Sequence, residues 1–295
     1  MKVLLCGAQG FIGRHLARSL TTAGHQVIGA GSGRRPQPGL LKVDFVQDTD
    51  VARWLPRVQG FDAVVNAVGV LRDTATRPLQ SVHETVPKAL FDACALAGVR
   101  RVVQISALGI EGNPTRYACT KLAADQHLLA LTQSGRLDGV VLRPSIVFGR
   151  GGDSSRLFMA LARSPWLALP GPVIKARVQP VAVQDLADAV AALLSGEGLE
   201  HTGILPCVGP SSLGLAEFIA SLRHQLGHRP ARMRHLPAPL TRWSARVGDA
   251  LPFAPWCSET LALLAQDNVG PAETLPSLLG RPALPHQRMV EAAWR

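Results

Sequence analysis

The chain opens on MKVLLCGAQGFIG, and no other stretch restricts the fold so strongly. Val3, Leu4 and Leu5 form an apolar run too short for a helix and suited to a strand buried on both faces. Gly7, Gly10 and Gly13 follow at three-residue spacing, and Phe11, Ile12, Leu16, Ala17 and Leu20 then recur with a helical period. Strand, glycine turn and helix are the context that makes a glycine pattern a dinucleotide site. Glycine lets backbone approach a pyrophosphate, and the helix N-terminus turns free N–H groups and its positive dipole end toward it. The spacing is Gly-x-x-Gly-x-x-Gly, not the commoner Gly-x-Gly-x-x-Gly, so the reading rests on the position directly after an apolar strand.

Further along, strands and helices alternate. Strands are predicted at 25–30, 40–43, 61–67, 101–106 and 140–142, with helices at 51–58, 82–97 and 116–133 between them. Gly24 and Gly98 stop two of the helices. This alternation predicts an α/β chain with a doubly wound parallel sheet covered on both faces. The character changes after Gly149. A glycine-rich loop at 150–153, a short helix at 157–163 and a Pro-rich loop at 165–172 lead to a strand at 180–183, a helix at 185–194 and a strand at 203–208. Helices at 214–226, 238–248 and 257–266 follow, separated by prolines, and the tail from Gly270 shows little periodicity. We therefore expect a dinucleotide-binding core at 1–150. Residues 151–295 would form a smaller, mostly helical cap, with a segment at about 178–208 returning to the core sheet.

Composition narrows the function classes. Hydrophobic residues make up 47% of the 295, ample for a core, and charged residues only 18%, which argues against disorder. The net charge of +10 suits an anionic ligand, and equally nucleic acid or an anionic membrane surface. The arginines are scattered and no nucleic-acid motif is present, so a basic soluble protein is the plainer reading. Cys6, Cys94, Cys119, Cys207 and Cys257 have no metal-ligand spacing and read as reduced core thiols of a cytoplasmic protein, with no metal. No run of about 20 apolar residues predicts a membrane span.

The second strand ends in Gly31, Ser32, Gly33, Arg34 and Arg35, with no acid to hold ribose hydroxyls. A guanidinium can grip a 2′-phosphate that an acid would repel, so this end favours NADP(H) over NAD(H); the bland alternative is two solvated loop arginines. Asp44 could accept from an adenine amino group or cap its own turn. Asn66, Ala67, Val68 and Gly69 form a small-residue turn beside the expected cofactor.

Tyr117 is the single tyrosine, and Lys121, one of few lysines, lies four residues later on the same face of a predicted helix. A phenol is a poor base at neutral pH. An ammonium about 4 Å away, at an effective dielectric near 20, favours the phenolate by up to about 4 kcal/mol. That lowers the pKa by as much as about three pH units. So tuned, a tyrosine can exchange a proton with a carbonyl or alcohol oxygen while nicotinamide exchanges a hydride with the adjacent carbon. The alternative is an accidental pair on a solvated helix.

GAQGFIG at 7–13, NAVG at 66–69, Ser106 with ALG, YACTK at 117–121, RPSIVFG at 143–149 and QPVAVQDLADAV at 179–190 stand in one order. With them the chain resembles an extended or atypical short-chain dehydrogenase/reductase, an NAD(P)-dependent epimerase/dehydratase-like Rossmann protein. The last two pieces, with LLAQDNV at 263–269, resemble the branch of the NADP-binding accessory subunit of respiratory complex I. The resemblance implies that Gly7, Gly10, Phe11, Ile12, Gly13 and Arg14 meet the pyrophosphate. Ser32, Arg34 and Arg35 would meet the 2′-phosphate, Asp44 the adenine, and Ala67, Val68 and Gly69 the ribose. Tyr117 would be the acid/base, Lys121 its helper on the nicotinamide ribose, and Pro144 and Ile146 would approach the carboxamide. Asp185 reads as a structural cap.

Two departures matter. The family's hydroxyl pair after the fifth strand is here Ser106-Ala107, with Ser106 the candidate to orient substrate oxygen. His83 stands near the family's relay asparagine, where it would relay protons or sit at the surface. Three readings follow. The first is an NADP(H)-dependent oxidoreductase acting on a small-molecule carbonyl or alcohol. The second is a non-catalytic NADP(H)-binding assembly subunit or redox sensor, and the third a nucleotide-sugar epimerase or dehydratase. The helices at 82–97 and 116–133 offer a face for a homodimer or an assembly partner; no nucleic-acid partner is expected.

Overall fold

A computed structural model describes residues 1–32, 39–250 and 256–294. Strand β1 (Lys2–Cys6) is fully buried from Val3 to Cys6, as a strand covered on both faces must be. It pairs in parallel with β2 (Gln26–Gly31) on one side and β4 (Ala63–Asn66) on the other, so that Leu5 lies opposite both Gly29 and Val65. With β3 (Leu41–Lys42), β5 (Arg101–Ile105) and β6 (Asp138–Pro144), the order is β3-β2-β1-β4-β5-β6, all parallel, and Gly203–Cys207 adds a seventh strand beside β6. Helices α1 (Phe11–Thr22), α2 (Val51–Val58), α3 (Val86–Ala97) and α4 (Arg116–Gln133) make the crossovers. Strand order reverses between β1 and β4, and a doubly wound sheet opens its ligand crevice at that switch point.

The glycine turn lies there. Gly7 adopts φ +80°, and a Cβ on it would come within 3.0 Å of the Ala67 carbonyl group on the far side of the switch point. Gly10 N–H donates to the Gly7 carbonyl at 2.9 Å, and an added Cβ at Gly13 would overlap that same peptide, with Gly7 C at 2.8 Å. These close backbone approaches leave no room for a side chain.

The chain divides into two compact units, Met1–Pro144 with Leu186–Pro206, and Ser145–Asp185 with Cys207–Arg295. In the first, Leu4, Trp54, Phe91, Leu128 and Val141 are among the buried side chains of the core, each contributing roughly 2 kcal/mol by leaving water. Buried Arg101 donates to the carbonyls of Leu193, Gly198 and His201 at 2.7–3.1 Å, its charge met by the carbonyl end of the helix Val183–Leu193. In the second unit Phe218 meets Phe148 and Phe158 edge-on, at 5.8 and 5.6 Å between ring centres.

Several expectations need correction. Residues 165–172 are no loop: Trp166–Pro170 is a strand paired in parallel with Arg232–Leu236, and Gly171–Lys175 is a short helix. The prolines suggested a loop, but the partner strand lies too far along the chain for any local signal. The tail carries the helices Thr274–Leu279 and Met289–Trp294, anchored by buried Leu275 and Met289. The helix expected at 82–97 starts earlier, as a π-helical turn over Gln80–Thr85. Asp185 is no cap: it sits inside its helix and takes the Leu284 N–H and the Arg281 guanidinium, both at 2.7 Å. Four cysteines are buried, while Cys119 is exposed on α4, and none of the five is in a disulfide.

Gly13→Ala should lower the urea midpoint by the equivalent of about 2–3 kcal/mol, because the Gly7 peptide must move. Leu96→Ala, on an exposed side chain, should shift it little.

Candidate active site

Helix α4 holds the catalytic candidates. Thr115 caps it, accepting from Ala118 N–H at 3.3 Å, and is itself held by Asn113 Oδ1. The Arg116–Asp73 ion pair ties the helix start to the loop after β4, and Asp73 also takes the Leu79 N–H at 3.0 Å. Tyr117 is half-buried one residue further on, its ring edge-on to His83 with 5.2 Å between ring centres.

Lys121 is only 4% exposed, and its Nζ donates to the Ile105 carbonyl at 2.9 Å. Burial pulls its pKa down to about 8, against the opposing charge of Asp125. A Cβ added to Gly69 would lie 3.6 Å from Lys121 Nζ and 3.8 Å from His83 Nε2, so the turn after β4 passes directly over both nitrogens.

His83 is 1% exposed, not at the surface. Its Nε2 accepts the Val70 N–H at 3.0 Å, which leaves the ring proton on Nδ1, facing Thr120 Oγ1 at 3.4 Å. Burial, and then the Lys121 charge, push its pKa down to about 2. This imidazole is neutral and engaged by backbone, which suits a fixed support for the 69–70 turn better than a proton relay.

Ser106 follows β5, and its hydroxyl donates to Asp125 Oδ2 at 2.7 Å. Asp125, which sequence reading passed over, is fully buried and also takes Arg143 Nε at 3.1 Å, while Arg143 Nη1 reaches Glu111 at 2.6 Å. Asp125 Oδ1 is buried with no hydrogen-bond partner among the described residues. Burial raises its pKa, opposed by Ser106, Arg143 and Lys121. The available signal was its place four residues beyond Lys121 on the same helix face.

The cofactor candidates fall as follows. Gly10 caps α1 without a side chain, so the backbone N–H groups at Phe11, Ile12 and Gly13 have no side-chain cap. The Arg14 guanidinium donates to the Gln9 carbonyl at 2.6 Å, bracing the turn. Ser32 is exposed at the end of β2; Arg34 and Arg35 lie outside the described residues. Gln9, not singled out from sequence, lies beside that end: a Cβ on Gly31 would be 3.0 Å from its Oε1. Asp44 Oδ1 accepts the N–H groups of Val46 and Gln47, so the turn-capping alternative is realised on that oxygen. Val68 N–H is held by Asn66 Oδ1 at 3.2 Å and Ala67 N–H by the Cys6 carbonyl at 3.0 Å. The Pro144 carbonyl takes Leu108 N–H at 2.9 Å; Ile146, in the second unit, packs on that unit's core.

A parallel sheet in this order, with a glycine turn at its switch point, defines a Rossmann-type dinucleotide-binding fold. Residues 3–202 match the model of the NAD dependent epimerase/dehydratase family, and the chain belongs to that family. It is 28% identical over 244 residues to the ceramide reductase of Caulobacter vibrioides, covering 80% of this chain and 74% of that protein. It is 26% identical over 275 residues to NADH dehydrogenase (ubiquinone) 1 alpha subcomplex subunit 9, mitochondrial, of Rattus norvegicus, covering 86% and 68%. It shares its fold with MoeE5, solved in complex with UDP-glucuronic acid and NAD. The TM-score is 0.72 over 99% of this chain and 97% of that one, at 22% identity.

In the unfolded chain Lys121 keeps its proton to about pH 10, whereas in the folded protein it releases it near pH 8. Between those values the unfolded state binds more protons, so stability gains with rising pH, and the cost of burying the charge is full below pH 8. The stability difference between wild type and Lys121→Met should therefore move in favour of wild type between pH 7.5 and 10, by about 3 kcal/mol at most. Urea unfolding at the two pH values measures it.

Proposed function

We propose that the protein is an NADP(H)-dependent oxidoreductase acting on a carbonyl or alcohol, with Tyr117 as its acid/base. The observation that carries this reading is the arrangement around Lys121. Its buried amine, held on the Ile105 carbonyl beneath Gly69, shares a helix face with the tyrosine. The glycine turn fits a dinucleotide, because Gly7 and Gly13 let backbone close on backbone with no side chain between, and the α1 N-terminus carries no side-chain cap.

In this reading Gly7, Gly10, Phe11, Ile12, Gly13 and Arg14 hold the pyrophosphate. Ser32, Arg34 and Arg35 hold the 2′-phosphate, with Asp44 toward the adenine. Ala67, Val68 and Gly69 lie along the ribose, and Pro144 and Ile146 meet the carboxamide. The bound nicotinamide supplies or accepts the hydride. Tyr117 Oη gives its proton to a carbonyl oxygen, or takes one from an alcohol. Lys121, as the ammonium, favours the phenolate form and holds the ribose. Ser106 acts through Asp125, to which its hydroxyl proton is committed. The relative named a ceramide reductase supports the reductase reading.

A second reading, a non-catalytic NADP(H)-binding subunit or sensor, has its own support. His83 is neutral and occupied by Val70 N–H, Ser106 is turned to Asp125, and Ala107 brings no hydroxyl. The similarity to a subunit of NADH dehydrogenase favours it as well.

Titration with NADPH and NADH, followed by energy transfer from tryptophan, should give tighter binding of NADPH. Arg34→Ala with Arg35→Ala should abolish that preference; equal binding of the two by wild type would remove the 2′-phosphate argument. Tyr117→Phe should bind NADPH nearly as wild type and lose at least about 10²-fold in turnover over a panel of ketones and aldehydes. Undiminished turnover would sink the mechanism, and no turnover in wild type with tight NADPH binding would select the second reading.

A further inference from the structure

The second unit carries a surface that this chemistry does not use. Residues 218–248 contain six arginines and three histidines, and no Asp or Glu. One of the six, Arg223, is buried and donates to the carbonyls of Ala162 and Ser164, both at 2.9 Å. The other five, Arg229, Arg232, Arg234, Arg242 and Arg246, are exposed.

The helix Ala238–Ala250 stands in this stretch, and its inner side is fixed. Thr241, Ala245 and Gly248 are buried, and Trp256 Nε1 donates to Ser244 Oγ at 3.2 Å. A Cβ on Gly248 would overlap the Trp256 peptide, so the helix backbone rests directly on that segment. Asp249, the first acid after the basic stretch, is engaged by the backbone N–H and hydroxyl of Ser258 at 2.8 and 2.6 Å. On another side of the helix Leu240, Trp243 and Val247 are 53%, 67% and 42% exposed. Their spacing places them in one stripe of about 60°, with Arg242 and Arg246 about 110° round the helix from it. Nearby in the same unit, exposed Trp166 carries the Arg232 guanidinium 5.0 Å over its ring.

We infer that this helix docks the protein on an anionic phospholipid surface. It lies in the plane of the interface, with Leu240, Trp243 and Val247 at the acyl boundary and the arginines on headgroup phosphates. An exposed tryptophan among aliphatic side chains, flanked by long cationic ones, is the composition of an interfacial helix. The charge is complementary to anionic lipid, and no acidic side chain interrupts it from residue 218 to 248. A second copy of the chain fits less well, because a two-fold contact would set like arginine surfaces against each other. A nucleic acid would use the arginines and leave Leu240 and Val247 in water. The helix lies on the bilayer without spanning it: among the described residues no helix is long and apolar enough to cross a membrane.

The test is co-sedimentation of the full chain with vesicles of phosphatidylcholine, alone or with about one-third phosphatidylglycerol. We expect binding to the mixed vesicles only, weakening as salt rises. Arg242→Gln with Arg246→Gln should lower the partition coefficient about thirtyfold. Trp243→Gln with Leu240→Gln should abolish binding while leaving the melting temperature near wild type, since both side chains are exposed. A readout free of variants is quenching of wild-type tryptophan emission by phosphatidylglycerol brominated on its acyl chains, which we expect to be strong. Lack of binding to the mixed vesicles would overturn the proposal. So would equal binding to both vesicle types, binding without bromine quenching, or unchanged binding in the folded variants. Retention by an RNA homopolymer, or self-association lost in these variants, without vesicle binding, would assign the surface to another occupant and equally overturn it.

Discussion

The end of β1 is where backbone meets backbone with no side chain between. The Gly7 carbonyl takes the Gly10 N–H at 2.9 Å and lies under Gly13, while Gly7 itself abuts Ala67 across the switch point. Dense packing makes this approach a constraint on everything attached to it. It sets the direction in which α1 leaves the sheet and the separation of the turns after β1 and β4. Through Ala67 and Gly69 it also fixes where Lys121 and His83 can stand. The glycine turn and the catalytic candidates are thus two ends of one short run of backbone contacts.

Around that run the first unit buries several charges and compensates them unequally. Arg101 is met by the carbonyls of Leu193, Gly198 and His201, and Arg143 by two carboxylates. Lys121 has the Ile105 carbonyl and, further off, the charge of Asp125. Taking a charge out of water costs several kcal/mol when partners are few, and the amine responds by giving up its proton near pH 8. Arg101 ties β5 to a cluster of carbonyls, and Arg143 ties β6 to the carboxylates of Glu111 and Asp125. Lys121, with one carbonyl and a more distant carboxylate, is the least compensated of the three. Asp125 belongs to both sets, linking Arg143 to Ser106 on one face of α4.

Much of the fold was legible because its signals are local. Helices α2 and α4 begin and end at the residues where period and punctuation put them, and the first six strands are where apolar runs stand between helices. The readings that failed needed a distant partner. Trp166–Pro170 becomes a strand only because Arg232–Leu236 pairs with it, and Asp185 turns from a cap to an anchor because Arg281 and Leu284 return to it. For His83, the surface alternative is overturned by burial: the ring is neutral and bonded to the Val70 backbone. In the candidate site Tyr117 and Lys121 were visible from spacing alone, while Asp125 and Gln9 emerged only with their neighbours.

The amino-acid sequence by itself determined the order of strands and helices, the glycine turn that admits backbone where side chains cannot fit, and the shared helix face of Tyr117 and Lys121. Each follows from contacts within a few residues, which chain geometry enforces wherever the segment lies. Tertiary structure alone decided which charges are buried and what meets them, which ring nitrogen of His83 carries the proton, and that Leu240, Trp243 and Val247 face solvent beside exposed arginines. Burial and electrostatics depend on atoms brought together from far along the chain, and no local pattern records that approach.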